Sequence, residues 1–293
     1  SQYLVNNALV KSPGWFSAWQ FLSQVFEPST VGGYYQPLSM ISLMLDYSLG
    51  GRVTNLMPFH RTSLAFHTAN TALIIILLYL LFDDVWIAAA VGLLFGLHPM
   101  TVEPIPWVGE RKTLLAAFFA LLSILFYIRY TRACAVIPSQ ARVKIQSPVS
   151  RSIWGSYIAC LVFYLLALMS KPTSTPLPLL ILLLDFWPLK RLKWPTVLEK
   201  IPLFILGGIF AVITYISQTR TAGSDSPIKM GIGRVFFTLC HNIIFYLYKI
   251  IWPVNLSSHY PFPDPLNLSH PMVLAGVIGT CILIPLLLIS LRW

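Results

Sequence analysis

Long apolar runs decide most of what this chain can fold into. "LAFHTANTALIIILLYLLF", "LLAAFFALLSILFYI" and "MVLAGVIGTCILIPLLLIS" each approach or exceed the reach of a lipid hydrocarbon core. A helix needs about 20 apolar residues for that crossing. Inside lipid every backbone amide must be satisfied within the segment, so such runs cross as helices. Only 10% of the residues are charged and the mean hydropathy is +0.72, so these runs cannot all be hidden in a water-soluble core. The chain reads as an all-α polytopic membrane protein.

Spans are expected from about Pro58 to Phe82, Val85 to Leu97, Pro106 to Tyr130, Ile153 to Ser170, Pro176 to Leu189 and Ile201 to Gln218. A helical stretch from Arg234 to Trp252 and a final span from Met272 to Leu291 follow. This gives residues 58–293 as the membrane domain, with about seven spans or re-entrant helices. Residues 1–57 are less apolar and mix Trp15, Phe16, Trp19, Phe21, Tyr34 and Tyr35 with Gly, Pro and Ser. Aromatics of this kind favour the membrane–water boundary, so short interfacial helices are expected there.

The charge of +10 resides in short loops between apolar segments, the pattern that marks cytoplasmic loops rather than a nucleic-acid surface. "TRACAVIPSQARVKIQSPVSR" carries Arg132, Arg142, Lys144 and Arg151 without an acid, and "KRLKWPTVLEK" is also basic. With both placed inside, Asp83 and Asp84 fall inside. "SKPTSTP", the stretch from His98 and residues 1–57 then fall outside. Residues 219–233 read as a polar outer loop, and the Lys- and Arg-free stretch 253–271 also looks external. Alternation would put that stretch inside, so either the Arg234 helix is re-entrant or surface-lying, or the loop breaks the charge rule; the final span ending at Arg292 favours the first. Cys134, Cys160, Cys240 and Cys281 lack paired spacing, and the histidines lack the tight spacing with carboxylates that a metal site needs. No metal site or nucleic-acid partner is expected.

"HPMTVEPIPWVGERKTLLAAFF" packs His98, Glu103, Glu110, Arg111 and Lys112 between two apolar runs. Pro104 and Pro106 keep its centre from being a regular helix and open the next one. Two adjacent cations near a helix start suit a negative ligand, because the amino end already carries partial positive charge. Lipid headgroups or the neighbouring glutamates would satisfy them equally well. Lys171 falls at the same level, Arg234 opens a helix on that side, and His60, His67 and Asn70 share one face of the first span. Together they suggest a polar groove at the outer surface, with Arg111, Lys112, Lys171, Arg234 and His98 as candidate phosphate ligands. Glu103 and Glu110 would orient those cations.

Four blocks carry a resemblance: "YYQPLSMISLMLDYSLGG", "PFHRTSLAFHTANTALIIILLYLL", "GLHPMTVEPIPWVGERKTLLAAFFALLSILFY" and "LALMSKPTSTPLPLLILLLDFWPLKR". In this order they resemble the membrane domain of bacterial GT-C glycosyltransferases that carry tetratricopeptide repeats, relatives of the eukaryotic transmembrane O-mannosyltransferases. The resemblance implies a GT-C-like helical bundle with a long extracytoplasmic first loop, an additional first helix upstream and a repeat domain downstream. It implies an inverting enzyme of the bacterial inner (plasma) membrane. Such an enzyme moves a sugar from a polyprenyl-phosphate carrier, its lipid cosubstrate, to an acceptor hydroxyl, on protein Ser or Thr, outside the cytoplasm. No other cofactor is implied. The family's loop base belongs to a pair of acids preceding a segment like "YLVNNALV". Here Ser1-Gln2 precede that segment, so the base is expected before Ser1. Glu27 and Asp46 lie in the loop but at other positions, and Tyr35 and Gln36 match the family's "YY.P" block as sugar or acceptor contacts; Glu103 and Glu110 would in such a site also bind sugar hydroxyls.

Two other classes fit the same residues. A lipid or lipid-linked sugar flippase would show mid-membrane charge and paired repeats, which this sequence lacks. A non-catalytic scaffold would lack the upstream acidic pair.

Overall fold

The computed structural model describes residues 3–4, 6–25, 35–136, 148–221, 231–257 and 260–290. Glu27, Arg142, Lys144 and the loop 222–230 fall outside the described residues. Every named element is a helix, and the chain divides into two compact units, Ser1–Gly223 and Ser224–Trp293.

The first unit opens with three short helices, α1 (Ala8–Lys11), α2 (Trp15–Ser23) and α3 (Pro37–Ser48). Val10, Phe21, Met40, Leu43 and Met44 bury together with Phe59, so the loop has an apolar core of its own. Trp15, Phe16 and Trp19 of α2 point away from it, 57–79% exposed. Bulky aromatics left outside suit a lipid–water boundary.

The helices that follow are α4 (Met57–Phe82), α5 (Val85–Leu97), the single turn α6 (Pro99–Val102), α7 (Arg111–Val136), α8 (Pro148–Ser170) and α9 (Leu177–Phe186). The short α10 (Trp194–Leu198) then leads into α11 (Ile201–Thr221). The boundaries have local causes. Asp83 takes a left-handed conformation (φ 55°) and ends α4. Asp84 then caps α5, its carboxylate accepting from the amides of Trp86 and Ile87 at 2.8 and 3.0 Å. Pro99 stops α5 and opens α6. A 3₁₀ turn at Val108–Glu110 leads into α7, so the third span begins as expected. It runs six residues past Tyr130, because "TRACAV" continues the helix.

Among the described residues, six helices are long and apolar enough to cross a membrane; Val85–Leu97 and Pro172–Phe186 are shorter apolar segments. Helices α7 and α8 form the most extensive pair. With α9 and α11 they enclose Tyr127, Ile128, Tyr164, Leu168, Ile181 and Leu203. Gly207 lets α11 come close here: a Cβ on it would sit 2.7 Å from the Tyr164 hydroxyl. That hydroxyl donates to the Thr175 carbonyl at 3.0 Å, which binds the turn after α8 to the same place.

The second unit is a pair of helices, α12 (Ile232–Ile251) and α13 (Pro271–Ser290). Helix α12 is continuous and has the length and composition of a crossing.

Candidate functional site

A cavity of about 490 Å³ opens where the start of α7, the turn after α8, the end of α11 and Gln36 meet. Its charged lining comes from Glu110, Lys112 and Lys171. The Glu110 carboxylate stands between the two ammonium groups, 3.3 Å from Lys112 Nζ and 3.5 Å from Lys171 Nζ. Thr113 Oγ1 donates to the same carboxylate and accepts from Lys171 Nζ at 2.8 Å. Lys112 Nζ also donates to Tyr3 Oη at 3.0 Å, and Gln36 Nε2 donates to that oxygen at 3.2 Å. Lys112, Lys171 and Glu110 are each partly exposed, at 19–26% of the side chain. Two cations 59 positions apart in sequence are thus brought to one carboxylate at the mouth of a polar cavity.

Arg111 is turned the other way. Successive helical residues point about 100° apart, and this one enters the protein. Its side chain is 0% exposed and pairs with Asp46 at 2.7 Å. Nε donates to Ser63 Oγ at 3.2 Å, Nη1 to Ser42 Oγ at 2.9 Å and Nη2 to the Phe59 carbonyl at 2.5 Å. Each of its three nitrogens is engaged inside the fold, so the expected phosphate contact is replaced by a structural one. Asp46 accepts in turn from Thr62 at 2.7 Å. This pair pins α3 to α4 and α7. Ser39 adds a second tie by donating to the Ser170 carbonyl at 3.0 Å, which places Gln36 beside Lys171.

The other expected site residues are dispersed. His98 caps α6 by accepting from the Met100 amide at 3.3 Å, and Glu103 is exposed at the end of that turn. His60 approaches the Ile105 carbonyl at 3.4 Å. His67 donates to the Gly96 carbonyl at 2.9 Å and stacks on Phe95, and Asn70 donates to the Leu114 carbonyl at 3.0 Å. That face of α4 joins helices and does not line the cavity. Tyr35 is buried against Phe210 and donates to the Leu22 carbonyl at 2.8 Å. Burial raises its pKa, so it remains a hydroxyl donor. Arg234 sits exposed in the first turn of α12, in the second unit.

Two groups of residues carry weight that their sequence positions did not announce. On the cavity wall, α11 contributes Ala211, Thr214, Tyr215 and Gln218. Their i, i+3, i+4, i+7 spacing marks one helix face, and three polar residues on that face of an apolar helix were a readable signal. At the other end of the same helices, Asp185 is fully buried. Lys200 pairs with it at 2.7 Å, and Tyr127 donates to both its oxygens at 2.7 Å. Arg191 approaches it at 3.5 Å and binds Glu199 at 2.6 Å. A lone acid in "LPLLILLLDF" required such partners, because an uncompensated charge in that setting is costly. Among the described residues no cluster of three or more metal-binding side chains occurs.

Fold and site together define an integral membrane protein of packed apolar helices, with a polar cationic cavity at one end of the bundle. About a third of the chain is similar to proteins named O-mannosyl-transferases. It is 34% identical over 100 residues to "Protein O-mannosyl-transferase Tmtc2" of Drosophila melanogaster, covering 34% of this chain and 11% of that protein. It is 31% identical over 96 residues to the human protein named TMTC2, covering 33% of this chain and again 11% of the relative. The matched region thus spans about a tenth of the length of these relatives. No family model matches, and neither does any solved structure.

Proposed function

We propose that this chain is the membrane part of a glycosyltransferase that moves a sugar from a polyprenyl-phosphate carrier to an acceptor hydroxyl, on protein Ser or Thr, at the extracytoplasmic side. The observation that carries this reading is the pair Lys112 and Lys171 held by one carboxylate in a cavity at the end of the bundle. The names of the partial relatives support the transferase class.

The chemistry follows from the charges. The acceptor oxygen attacks the anomeric carbon, with inversion, as the carbon–oxygen bond to phosphate breaks. A carboxylate takes the acceptor proton. Negative charge accumulates on the departing lipid phosphate. Preorganised cations in a site partly closed to water stabilise it most effectively. Lys112 and Lys171 fill that role, and Glu110 with Thr113 and Tyr3 keeps both ammonium groups aimed into the cavity. On docking, the phosphate replaces the carboxylate as their partner. A tetratricopeptide repeat domain downstream and a bacterial inner membrane location belong to the same proposal.

The test uses the full-length protein in phosphatidylcholine vesicles, with radiolabelled polyprenyl-phosphate mannose and a Ser/Thr-rich peptide. Charge-assisted hydrogen bonds contribute about 1.5–3 kcal/mol each, so Lys112→Ala and Lys171→Ala should each lower transfer by roughly ten- to a hundredfold. Full transfer by the double variant would overturn the reading.

A further inference from the structure

The end of α11 is the one wall of the cavity to which neither sequence nor resemblance assigned a role. Ala211, Thr214, Tyr215 and Gln218 share one face of it and line the space. Before them the helix is apolar, "IPLFILGGIF", and its Ile205 and Ile209 are exposed in the manner of lipid-facing side chains. The change from apolar to hydroxyl and amide groups therefore coincides with the cavity.

Thr214 adds a specific observation. A threonine in a membrane helix normally satisfies its hydroxyl by donating to the carbonyl three or four residues back. Thr68, Thr71 and Thr238 all do so here, at 2.8–3.0 Å. Thr214 Oγ1 instead is buried with no hydrogen-bond partner among the described residues. Leaving a buried hydroxyl unmatched costs about 1–3 kcal/mol, and a ligand hydroxyl in the cavity would supply the partner. Gln218, at i+4 on the same face, offers a donor and an acceptor. Tyr215 is more than half exposed and presents an aromatic ring at the same level.

These groups are neutral, whereas Lys112, Lys171 and Glu110 in the same cavity are charged. A sugar joined to a phosphate has the same division: an anionic link and an uncharged ring of hydroxyls. Small-molecule sites occupy about 300–1,000 Å³, and the cavity, at about 490 Å³, falls in that range. Building on the proposed transferase reading, we propose that the Thr214–Gln218 face of α11 reads the sugar of the lipid-linked donor and sets which hexose is accepted. A wall built to pair with substrate hydroxyls discriminates strongly, since an analogue lacking one strands the protein's own polar groups.

The experiment measures equilibrium binding to the full-length protein in phosphatidylcholine vesicles. The ligands are polyprenyl phosphate, polyprenyl-phosphate mannose and polyprenyl-phosphate glucose. Thr214→Val keeps the shape and removes the hydroxyl; Thr214→Ser restores a hydroxyl and controls for folding; Gln218→Leu removes the amide. Loss of one such bond should weaken the preferred sugar-linked ligand by about five- to twentyfold. Binding of bare polyprenyl phosphate should be unchanged, and the mannose/glucose preference should shrink. Thr214→Ser should recover most of the wild-type affinity. Equal weakening of all three ligands, or an unchanged preference in both Thr214→Val and Gln218→Leu, would overturn the inference while leaving the lysine site standing. Failure of the wild-type protein to bind any of the three would instead overturn the transferase reading on which the inference rests.

Discussion

Arg111 and Asp46 meet at 2.7 Å in a space closed to solvent, across 65 positions of sequence. Removing either partner leaves a buried charge uncompensated, which costs about 3–5 kcal/mol. Arg111→Ala and Asp46→Ala should therefore each sharply lower the thermal unfolding midpoint in detergent. The double variant Arg111→Ala with Asp46→Ala should lose less than the two single changes summed, because it removes both charges. Additive losses would show that the pair is not coupled.

Lys112 should respond differently from its neighbour. It is partly exposed at the cavity, so Lys112→Ala should change the folding stability by no more than about 1 kcal/mol. Arg111→Ala should lose folded protein before activity can be compared. A thermal scan of both variants at matched lipid content separates a ligand contact from an architectural one.

At the other end of the bundle, Tyr127, Asp185 and Lys200 form a closed polar knot. Asp185→Ala or Lys200→Met should destabilise the protein by about 3–5 kcal/mol, and Tyr127→Phe by about 1 kcal/mol. Tyr127 is fourteen residues along α7 from Thr113, roughly 21 Å by helical rise. Tyr127→Phe should accordingly keep its affinity for polyprenyl phosphate at a temperature where it remains folded. Altered affinity there would tie the knot to the cavity.

Within the second unit, Gly276 lies against the backbone of α12. A Cβ placed on it would be 2.7 Å from His241 Cα, too close for any side chain. Small residues allow this approach between membrane helices. Gly276→Leu should force the two helices apart, and Gly276→Ala should cost about 1–3 kcal/mol through overpacking. Cysteine cross-linking between the facing turns of α12 and α13 would report the separation.

The spans were legible because lipid imposes one length and one composition, and caps mark the ends. Val85–Leu97 was readable to the residue, since Asp84 and Pro99 bracket it. Lys112, Lys171, Glu110 and Gln36 read as lying near one level of the bundle, and the structure gathers these four around one cavity. What the sequence concealed was rotation about a helix axis. Arg111 and Lys112 read as one basic pair, yet their directions diverge, and only packing against α3 decides which one enters the core. Partners far apart in sequence were also hidden, Asp46 for Arg111 and Lys200 for Asp185, although a lone acid in an apolar helix already demanded one. His60, His67 and Asn70 shared a face as expected, but that face binds backbone carbonyls of neighbouring segments.

The apolar side chains of α9 and α11 below the cavity have a consequence for how long a ligand can be. Leu179, Leu180 and Leu183 on one helix, and Ile205, Ile209 and Val212 on the other, are all exposed. Such a surface continues the hydrocarbon of the bilayer instead of measuring it. An isoprenoid tail attached to a phosphate in the cavity would dissolve in the membrane beside these helices. The protein would then be indifferent to the number of isoprene units, and carriers of any length would compete on equal terms.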